Sequence, residues 1–157
     1  MKNVPVAAIG IGSNTGDAAA NVRSAFDRLA EIGDVRARSR LYRTEPWGVT
    51  DQAPFVNAAA LVDTPLAPRE LLAALRRIEA EQGRAATFRW GPRVLDLDIL
   101  AYAGVQLDEP DLTIPHARLH ERAFALVPLA EIDPAYVPLR DALPPGERGG
   151  VVELGAQ

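Results

Sequence analysis

Hydrophobic and polar positions follow two different periods along this chain, and together they predict both strands and helices. Residues 4–11 form a largely apolar run that stops at turn-forming residues 12–17, which predicts a buried strand entering a tight loop. Apolar residues then recur every three or four positions over residues 18–32. This spacing predicts an amphipathic helix that ends at Gly33.

The middle of the chain repeats this change of period. Residues 35–41 alternate largely apolar side chains with arginines, which predicts a half-exposed strand. Residues 55–62 form a nearly continuous apolar run, which predicts a central strand. Pro68 suits the first turn of a second helix, which carries leucines and an isoleucine on one face and ends at Gly83. Residues 94–102 predict a further strand, again strongly apolar.

The order strand, helix, strand, strand, helix, strand predicts an α+β fold. This is the order of a ferredoxin-like βαββαβ sheet with both helices on one face. After it, the sequence predicts a hairpin turning at residues 103–104, an extended segment at 112–116 and a short helix over 122–132. The proline- and glycine-rich tail, residues 144–157, is predicted to be irregular.

Composition restricts the compartment and the available chemistry. The chain has 157 residues, is 48% hydrophobic, and shows no shift in composition, so residues 1–157 are expected to form a single domain. No apolar run is long enough to span a membrane. The absence of cysteine excludes disulfides and thiolate metal sites and favours a cytoplasmic location. The net charge of −4 disfavours general binding to a nucleic-acid backbone.

Two acidic residues interrupt the strand at 94–102 and suggest a metal site. Side chains alternate between faces in an extended segment, so Asp96 and Asp98 point to one side while Leu95, Leu97 and Ile99 point to the other. Two like charges repel each other unless a cation lies between them, and carboxylates are preferred ligands of Mg²⁺. The alternative interpretation is a solvated strand face.

An arginine-rich loop precedes these carboxylates. Arg84, Arg89 and Arg93 flank Trp90 and a Gly-Pro pair. Guanidinium groups bind phosphate oxygens through two parallel hydrogen bonds, so arginines beside a metal site suggest polyphosphate chemistry. The alternative is a surface loop with scattered arginines.

Two other segments carry candidate binding residues. Residues 42–48 and the following Phe55 and Asn57 combine aromatic rings with an amide, which suits a flat, polar heterocycle. The alternative is that Phe55 and Trp47 are core residues and Asn57 a turn residue. Residues 113–124 place His116 close in sequence to several cationic groups, although a lone histidine is usually structural.

Together these motifs resemble the 6-hydroxymethyl-7,8-dihydropterin pyrophosphokinases of folate biosynthesis. The resemblance rests on residues 12–14, 42–44, 51–59, 89–99, 114–116 and 122–124, and it extends over about residues 9–132. It implies a single pyrophosphokinase domain that transfers pyrophosphate from ATP to the hydroxymethyl group of the pterin in a magnesium-dependent reaction and releases AMP. The implied partners are these two small molecules, without nucleic acid or membrane, and a monomer is expected.

The resemblance also implies a role for each motif residue. Asp96 and Asp98 are implied to hold two Mg²⁺ ions and to form the catalytic set with Arg84 and Arg93. The implied nucleotide contacts are Glu79, Arg84, Arg93, Ile99, Thr113, His116 and Arg122. The implied pterin contacts are Thr44, Glu45, Pro46, Trp47, Phe55, Asn57, Trp90 and Phe124. In this arrangement the pterin stacks between Phe55 and Phe124, and Asn57 recognises its amide-like edge.

Two other classes of function stay open from the residues. A different metal-dependent phosphoryl or nucleotidyl transferase on the same fold would share Asp96 and Asp98 but would need no heterocycle pocket. RNA-recognition domains also have the βαββαβ order and use aromatic residues on the sheet. This acidic chain lacks their aromatic-rich signature, which disfavours that class.

Overall fold

The structure is a computed structural model that describes residues 4–44, 54–82 and 94–154. Its strands are β1 (Val6–Ser13), β2 (Asp34–Arg38), β3 (Tyr42–Thr44), β4 (Phe55–Asp63), β5 (Asp96–Tyr102), β6 (Leu107–Glu109), β7 (Leu112–Ile114) and β8 (Val151–Glu153). Its α-helices are α1 (Ala18–Leu29), α2 (Pro68–Gln82), α3 (Ala123–Ile132), α4 (Val137–Asp141) and α5 (Pro145–Gly149). Short 3₁₀ turns occupy Leu119–Glu121 and Pro134–Tyr136.

The strands form one large antiparallel sheet in the order β5-β1-β4-β3-β8, with β2 also paired to β4. Strand β4 pairs with the whole of β1 on one edge, and β2 and β3 pair with successive parts of its other edge. Strands β6 and β7 form a separate two-stranded sheet. The mixed α and β content predicted from the sequence is confirmed.

Each face of the large sheet has its own core. Alternate residues of β1 show this, since Ile9 packs with α1 and α2 while Ala8 packs with α3. The period of two that the strands carry in sequence therefore sorts side chains between the two layers. Within the described residues, no helix has both the length and the apolar character needed to cross a membrane.

The strand predicted over residues 35–41 ends at Arg38, and a separate strand, β3, begins at Tyr42. Ser39 is buried between β2 and β3, and its hydroxyl accepts the Ala59 N–H at 2.9 Å and donates to the Arg40 carbonyl at 2.7 Å. A serine hydroxyl can replace backbone partners in this way. The chain bends there and resumes as β3.

Two further predictions from the sequence need correction. The tail is not irregular between Pro145 and Glu153, because α5 and β8 form there and β8 pairs with β3. The first helix, predicted to end at Gly33, ends earlier, at Leu29, and Gly33 has a different role. A Cβ on Gly33 would lie 2.2 Å from the Asp63 carbonyl oxygen, so only glycine fits this close approach of two backbones.

The predicted hairpin turn also differs in position. Residues 103–104 form a turn that ends β5, and the Val105 N–H donates to the Tyr102 carbonyl there at 3.0 Å. The two-stranded sheet lies later in the chain, and its strands are separated by Pro110 and Asp111.

Candidate active site

A cavity of about 320 Å³ lies over the large sheet, between the strands and the start of α3. Many of the residues predicted for the site line this cavity: Thr44, Phe55, Asn57, Asp96, Asp98, Arg122 and Phe124. They come from four separate elements and from the residue that precedes α3. The fold thus brings four of the predicted pterin residues and both predicted metal ligands into one space.

Two glycines of β1, which the sequence reasoning did not assign to the site, also line the cavity. Gly10 pairs with Asp98 and Gly12 pairs with Asp96 in the register of β1 and β5. A Cβ on Gly12 would lie 3.0 Å from the Asn57 Nδ2 atom. Glycine inside a strand often marks such a close approach, and this was the available signal in the sequence.

Asn57 and Thr44 give the cavity its polar character. Asn57 is only 6% exposed, and its Oδ1 atom has no hydrogen-bond partner among the described residues. The buried Thr44 hydroxyl oxygen also lacks one. Because a buried polar atom without a partner costs folding free energy, these two oxygens favour a ligand that supplies hydrogen bonds.

Two phenylalanines contribute to the apolar surface of the cavity. Phe55 is at the start of β4 and pairs with Thr44 of β3, while Phe124 is in the first turn of α3. The Arg122 guanidinium carbon lies 5.5 Å from the centroid of the Phe124 ring, which is within the range of a cation–π contact. The apolar wall therefore adjoins a cation.

Asp96 and Asp98 lie on the cavity side of β5. Both are half-buried and line the cavity, while Leu97 and Ile99 between and after them are buried in the core on the opposite face. The alternation predicted for this strand is confirmed. Since the Ile99 side chain is in that core, only its backbone is left for contact with a ligand.

The pair of carboxylates fits Mg²⁺ bound jointly with a polyphosphate. Over residues 4–44, 54–82 and 94–154, no group of three or more His, Cys, Asp or Glu side chains is arranged to hold a metal ion. Mg²⁺ is commonly bound by one or two carboxylates together with substrate phosphates and water, so a cage of protein ligands is not required. The donor set of Asp96 and Asp98 is of this kind.

Glu79 lies behind the carboxylate strand and contacts its backbone. Its Oε2 atom accepts the Leu97 N–H at 2.7 Å, and its side chain also pairs with Arg76. Burial raises the pKa of the Glu79 carboxyl, against the lowering effects of the Leu97 N–H and of Arg76. The described contacts of this predicted nucleotide residue are thus with the protein.

His116 and Thr113 lie beside the same strand. Thr113 is on β7, which packs next to β5, and the His116 backbone N–H donates to the Leu100 carbonyl at 2.9 Å. Burial lowers the pKa of the His116 imidazole, and the nearby charges of Arg122 and Arg118 lower it further. Asp98 acts in the opposite direction. A neutral imidazole can both donate and accept hydrogen bonds.

Six of the residues predicted for the site lie outside the described residues. They are Glu45, Pro46, Trp47, Arg84, Trp90 and Arg93.

A concave, mostly apolar site with a few converging polar groups is typical of an enzyme that acts on a small molecule. The family model described as 7,8-dihydro-6-hydroxymethylpterin-pyrophosphokinase (HPPK) matches residues 8–134. A Methylorubrum extorquens protein named 2-amino-4-hydroxy-6-hydroxymethyldihydropteridine pyrophosphokinase is 52% identical over 131 residues, 82% of this chain and 83% of that protein. A Pseudomonas aeruginosa protein of the same name is 45% identical over 128 residues, 80% of this chain and 79% of that protein.

Longer relatives contain the same region. The mitochondrial folate synthesis bifunctional protein of Pisum sativum is 44% identical over 125 residues, 79% of this chain and 24% of that protein. A crystal structure of wild-type Plasmodium falciparum HPPK-DHPS matches the fold with a TM-score of 0.68 at 15% identity, covering 88% of this chain and 44% of the other. This chain therefore belongs to the 7,8-dihydro-6-hydroxymethylpterin-pyrophosphokinase family and is an enzyme of the 2-amino-4-hydroxy-6-hydroxymethyldihydropteridine pyrophosphokinase type.

Proposed function

We propose that this protein transfers the β,γ-pyrophosphoryl unit of ATP to the hydroxymethyl oxygen of 6-hydroxymethyl-7,8-dihydropterin and releases AMP in folate biosynthesis. The observation that carries this proposal is that one cavity holds Asp96, Asp98 and Asn57, whose Oδ1 atom has no partner in the part of the chain that the structure describes. A transferase without a heterocyclic substrate would have no use for a buried amide oxygen that lacks a partner among the described residues. Membership of the pyrophosphokinase family supports the same substrate.

The pterin ring fits the apolar part of the cavity. Phe55 and Phe124 would stack against its faces, and the Asn57 Oδ1 atom would accept hydrogen bonds from ring N–H or amino groups at its edge. Thr44 would add a further hydrogen bond. Stacking supplies affinity, whereas the amide selects the heterocycle because a ring without the matching donors would leave the Asn57 oxygen unpaired. Glu45, Pro46, Trp47 and Trp90 are expected to complete this pocket.

The nucleotide would lie along the β5 side of the cavity. Arg122 and neutral His116 would contact phosphate oxygens, and Thr113, Glu79 and the backbone of Ile99 would contact the rest of ATP. Arg84 and Arg93 are expected to bind the phosphates through bidentate hydrogen bonds. These guanidinium groups would stabilise charge that develops during transfer.

Asp96 and Asp98 would hold Mg²⁺, with two ions expected. When bound, Mg²⁺ would neutralise charge on the phosphate oxygens and lower the pKa of the attacking hydroxyl group. The two aspartates would orient the polyphosphate from below while the phenylalanines orient the pterin. Their joint effect is to place the hydroxymethyl oxygen in line with the β-phosphorus.

In the transfer itself, a bond forms between the hydroxymethyl oxygen and the β-phosphorus. The bond from this phosphorus to the oxygen shared with the α-phosphate breaks, and AMP leaves with that oxygen. Among the described residues that line the cavity, the titratable side chains are Asp96, Asp98 and Arg122. We therefore assign no separate general base and expect the hydroxyl proton to pass to water.

We also propose that the large sheet is ferredoxin-like. The order β5-β1-β4 followed by β2 and β3, with α1 and α2 in one layer, supports a ferredoxin-like sheet extended by the β6–β7 hairpin. We propose that residues 1–157 act as one pyrophosphokinase domain. The monomeric state and the cytoplasmic location stay predictions.

The identity of the products tests this function. The protein is incubated with ATP, Mg²⁺ and the reduced pterin, and the mixture is analysed by mass spectrometry. We expect AMP and a pterin that has gained two phosphates. ADP with a singly phosphorylated product would show a different transferase, and no turnover combined with tight binding of single-stranded RNA on filters would favour the RNA-binding class.

A further inference from the structure

The chain returns to the large sheet after the part that matches the family model. The match ends at residue 134, whereas β8 begins at Val151 and pairs antiparallel with β3. Strand β3 is only three residues long and carries Thr44 into the cavity. It is therefore held on one edge by β4, within the family match, and on the other by a strand outside it.

The pairing places β8 next to β3, the strand that carries Thr44. Thr44 is opposite Phe55 of β4 on one side and opposite Val151 of β8 on the other. Val151 is 8% exposed and packs in the same core as Tyr42, the first residue of β3. Substitutions that release β8 would thus leave β3, the strand of Thr44, paired on one edge alone.

Outside this core, polar contacts also attach β8 and the residue after it to residues 40–41, just before β3. The Leu154 N–H donates to the Leu41 carbonyl at 2.9 Å, and the Arg40 guanidinium pairs with Glu153 at 3.1 Å. This ion pair is exposed and contributes little on its own. The backbone pairing and the burial of Val151 are the stronger part of the attachment.

The tail also borders the binding region. A second depression of about 940 Å³ shares Thr44, Arg122 and Phe124 with the first cavity. The residues that line it also include Pro144, Glu147 and Val151 of the tail. The tail therefore adjoins the residues proposed to bind pterin.

We propose that β8 is a positioning element of the pterin pocket. By pairing with β3, it fixes the Thr44 backbone and side chain relative to Phe55 and Asn57, and so it strengthens pterin binding without touching the pterin. A strand of three residues with a partner on only one edge has few backbone hydrogen bonds to hold its place. The inference rests on the proposed function for the identity of the ligand.

Substitutions at Val152 test the backbone hydrogen bond of β8 separately from the packing of its side chains. Hydrogen-bonded pairs alternate along an antiparallel ladder, so the bond from Leu154 to Leu41 predicts that the Val152 N–H faces Arg43. Val152→Pro removes this donor, whereas Val152→Ala keeps it. The Val152 side chain is 56% exposed, so neither variant removes a core residue.

The readout is pterin affinity by calorimetry, in the presence of Mg²⁺ and a non-hydrolysable ATP analogue. We expect Val152→Pro to raise the pterin Kd by about threefold to tenfold, the effect of one lost hydrogen bond, with an unchanged Kd for the ATP analogue. Steady-state kinetics should show a raised pterin KM and a retained kcat. Val152→Ala should match the wild type. Equal pterin affinity in the two variants would overturn the proposal.

Hydrogen exchange on the wild-type protein provides a test that no folding defect can obscure. Coupling between two sites is reciprocal, so if β8 strengthens pterin binding, pterin must slow exchange of the Val152 and Leu154 amides. Amides of β2, which pairs with the far part of β4, serve as the control and should change less. Unchanged β8 amides in a protein that binds pterin would contradict the inference alone. A wild-type protein that binds no pterin would contradict the proposed function as well.

Discussion

The Glu79 carboxylate accepts a 2.7 Å hydrogen bond from the backbone N–H of Leu97, the residue between Asp96 and Asp98. Arg76, one turn earlier on α2, donates to both Glu79 oxygens at 2.9 Å and to the Leu97 carbonyl at 3.0 Å. Strand β5 is at the end of the sheet order, so α2 supplies partners that a further strand would otherwise provide. Arg76 and Glu79 thereby hold the segment that carries the proposed metal ligands.

Removing this support should destabilise the protein. Glu79→Ala leaves the Leu97 N–H without its acceptor, and we expect the free energy of unfolding to fall by about 1–3 kcal/mol. Glu79→Gln keeps an acceptor oxygen and should lose less. Urea denaturation followed by circular dichroism measures both. An alanine variant as stable as the wild type would mean that the hydrogen bond to Leu97 does not stabilise β5.

Replacement of a proposed metal ligand should stop turnover without unfolding the protein. Asp98→Asn keeps the size of this half-buried side chain but removes its charge. Replacing a residue that only hydrogen-bonds to a metal ligand usually costs about 10- to 100-fold in activity. Because Asp98 is a proposed ligand itself, we expect the rate to fall by more than about 100-fold. The fold, measured by circular dichroism, should be unchanged. Ordinary turnover at the same Mg²⁺ concentration would show that the ions bind elsewhere.

Asn57 should control pterin affinity more than nucleotide affinity. Asn57→Ala removes the unpartnered oxygen that we expect to accept hydrogen bonds from the pterin, and the loss of about 1–3 kcal/mol corresponds to roughly five- to 150-fold in Kd. Calorimetry with the pterin and with an ATP analogue separates the two affinities. A pterin Kd equal to that of the wild type would place the heterocycle in another pocket.

The lowered pKa of His116 predicts a specific dependence on pH. Between the folded pKa and the ordinary value of 6.5, the folded protein binds fewer protons at this site than the unfolded chain. The stability contribution is therefore fully present above pH 6.5 and is lost as the pH falls below it. Arg122 and Arg118 favour the neutral ring, and Asp98 opposes them.

Nuclear magnetic resonance of the imidazole measures this pKa directly. His116 and His120 are the two histidines of the chain, so a His120→Asn background leaves a single ring signal. We expect its midpoint to lie below 6.5, and we expect His116→Asn to lose less stability than the wild type between pH 7.5 and pH 5.5. A midpoint at or above 6.5 would contradict the burial and the charge balance described for this residue.

The long elements of the fold are predictable from the sequence because burial of one face imposes a period. Helix α2 runs from Pro68 to Gln82, immediately before the predicted stop at Gly83, and α3 closely matches its predicted range. Strands β3 and β8 could not be predicted in this way. Each has three residues, too few to show a period, and the pairing joins positions that are more than a hundred residues apart in sequence.

The site, like the fold, was only partly predictable from the sequence. The carboxylates of Asp96 and Asp98 and their common face follow from strand alternation alone. Their position opposite Gly12 and Gly10 depends on a strand register between distant segments, which no local pattern specifies. That the Asn57 oxygen lacks a partner among the described residues likewise depends on the assembled cavity and could not be predicted from the sequence.

A crystal structure of the protein with Mg²⁺, a non-hydrolysable ATP analogue and the pterin tests the central claim most directly. We expect the pterin between Phe55 and Phe124 with its edge on Asn57, and Asp96 and Asp98 bound to Mg²⁺ that also contacts the polyphosphate. The hydroxymethyl oxygen should face the β-phosphorus. A complex in which the two aspartates contact no ion, or in which the pterin lies outside this cavity, would contradict the account.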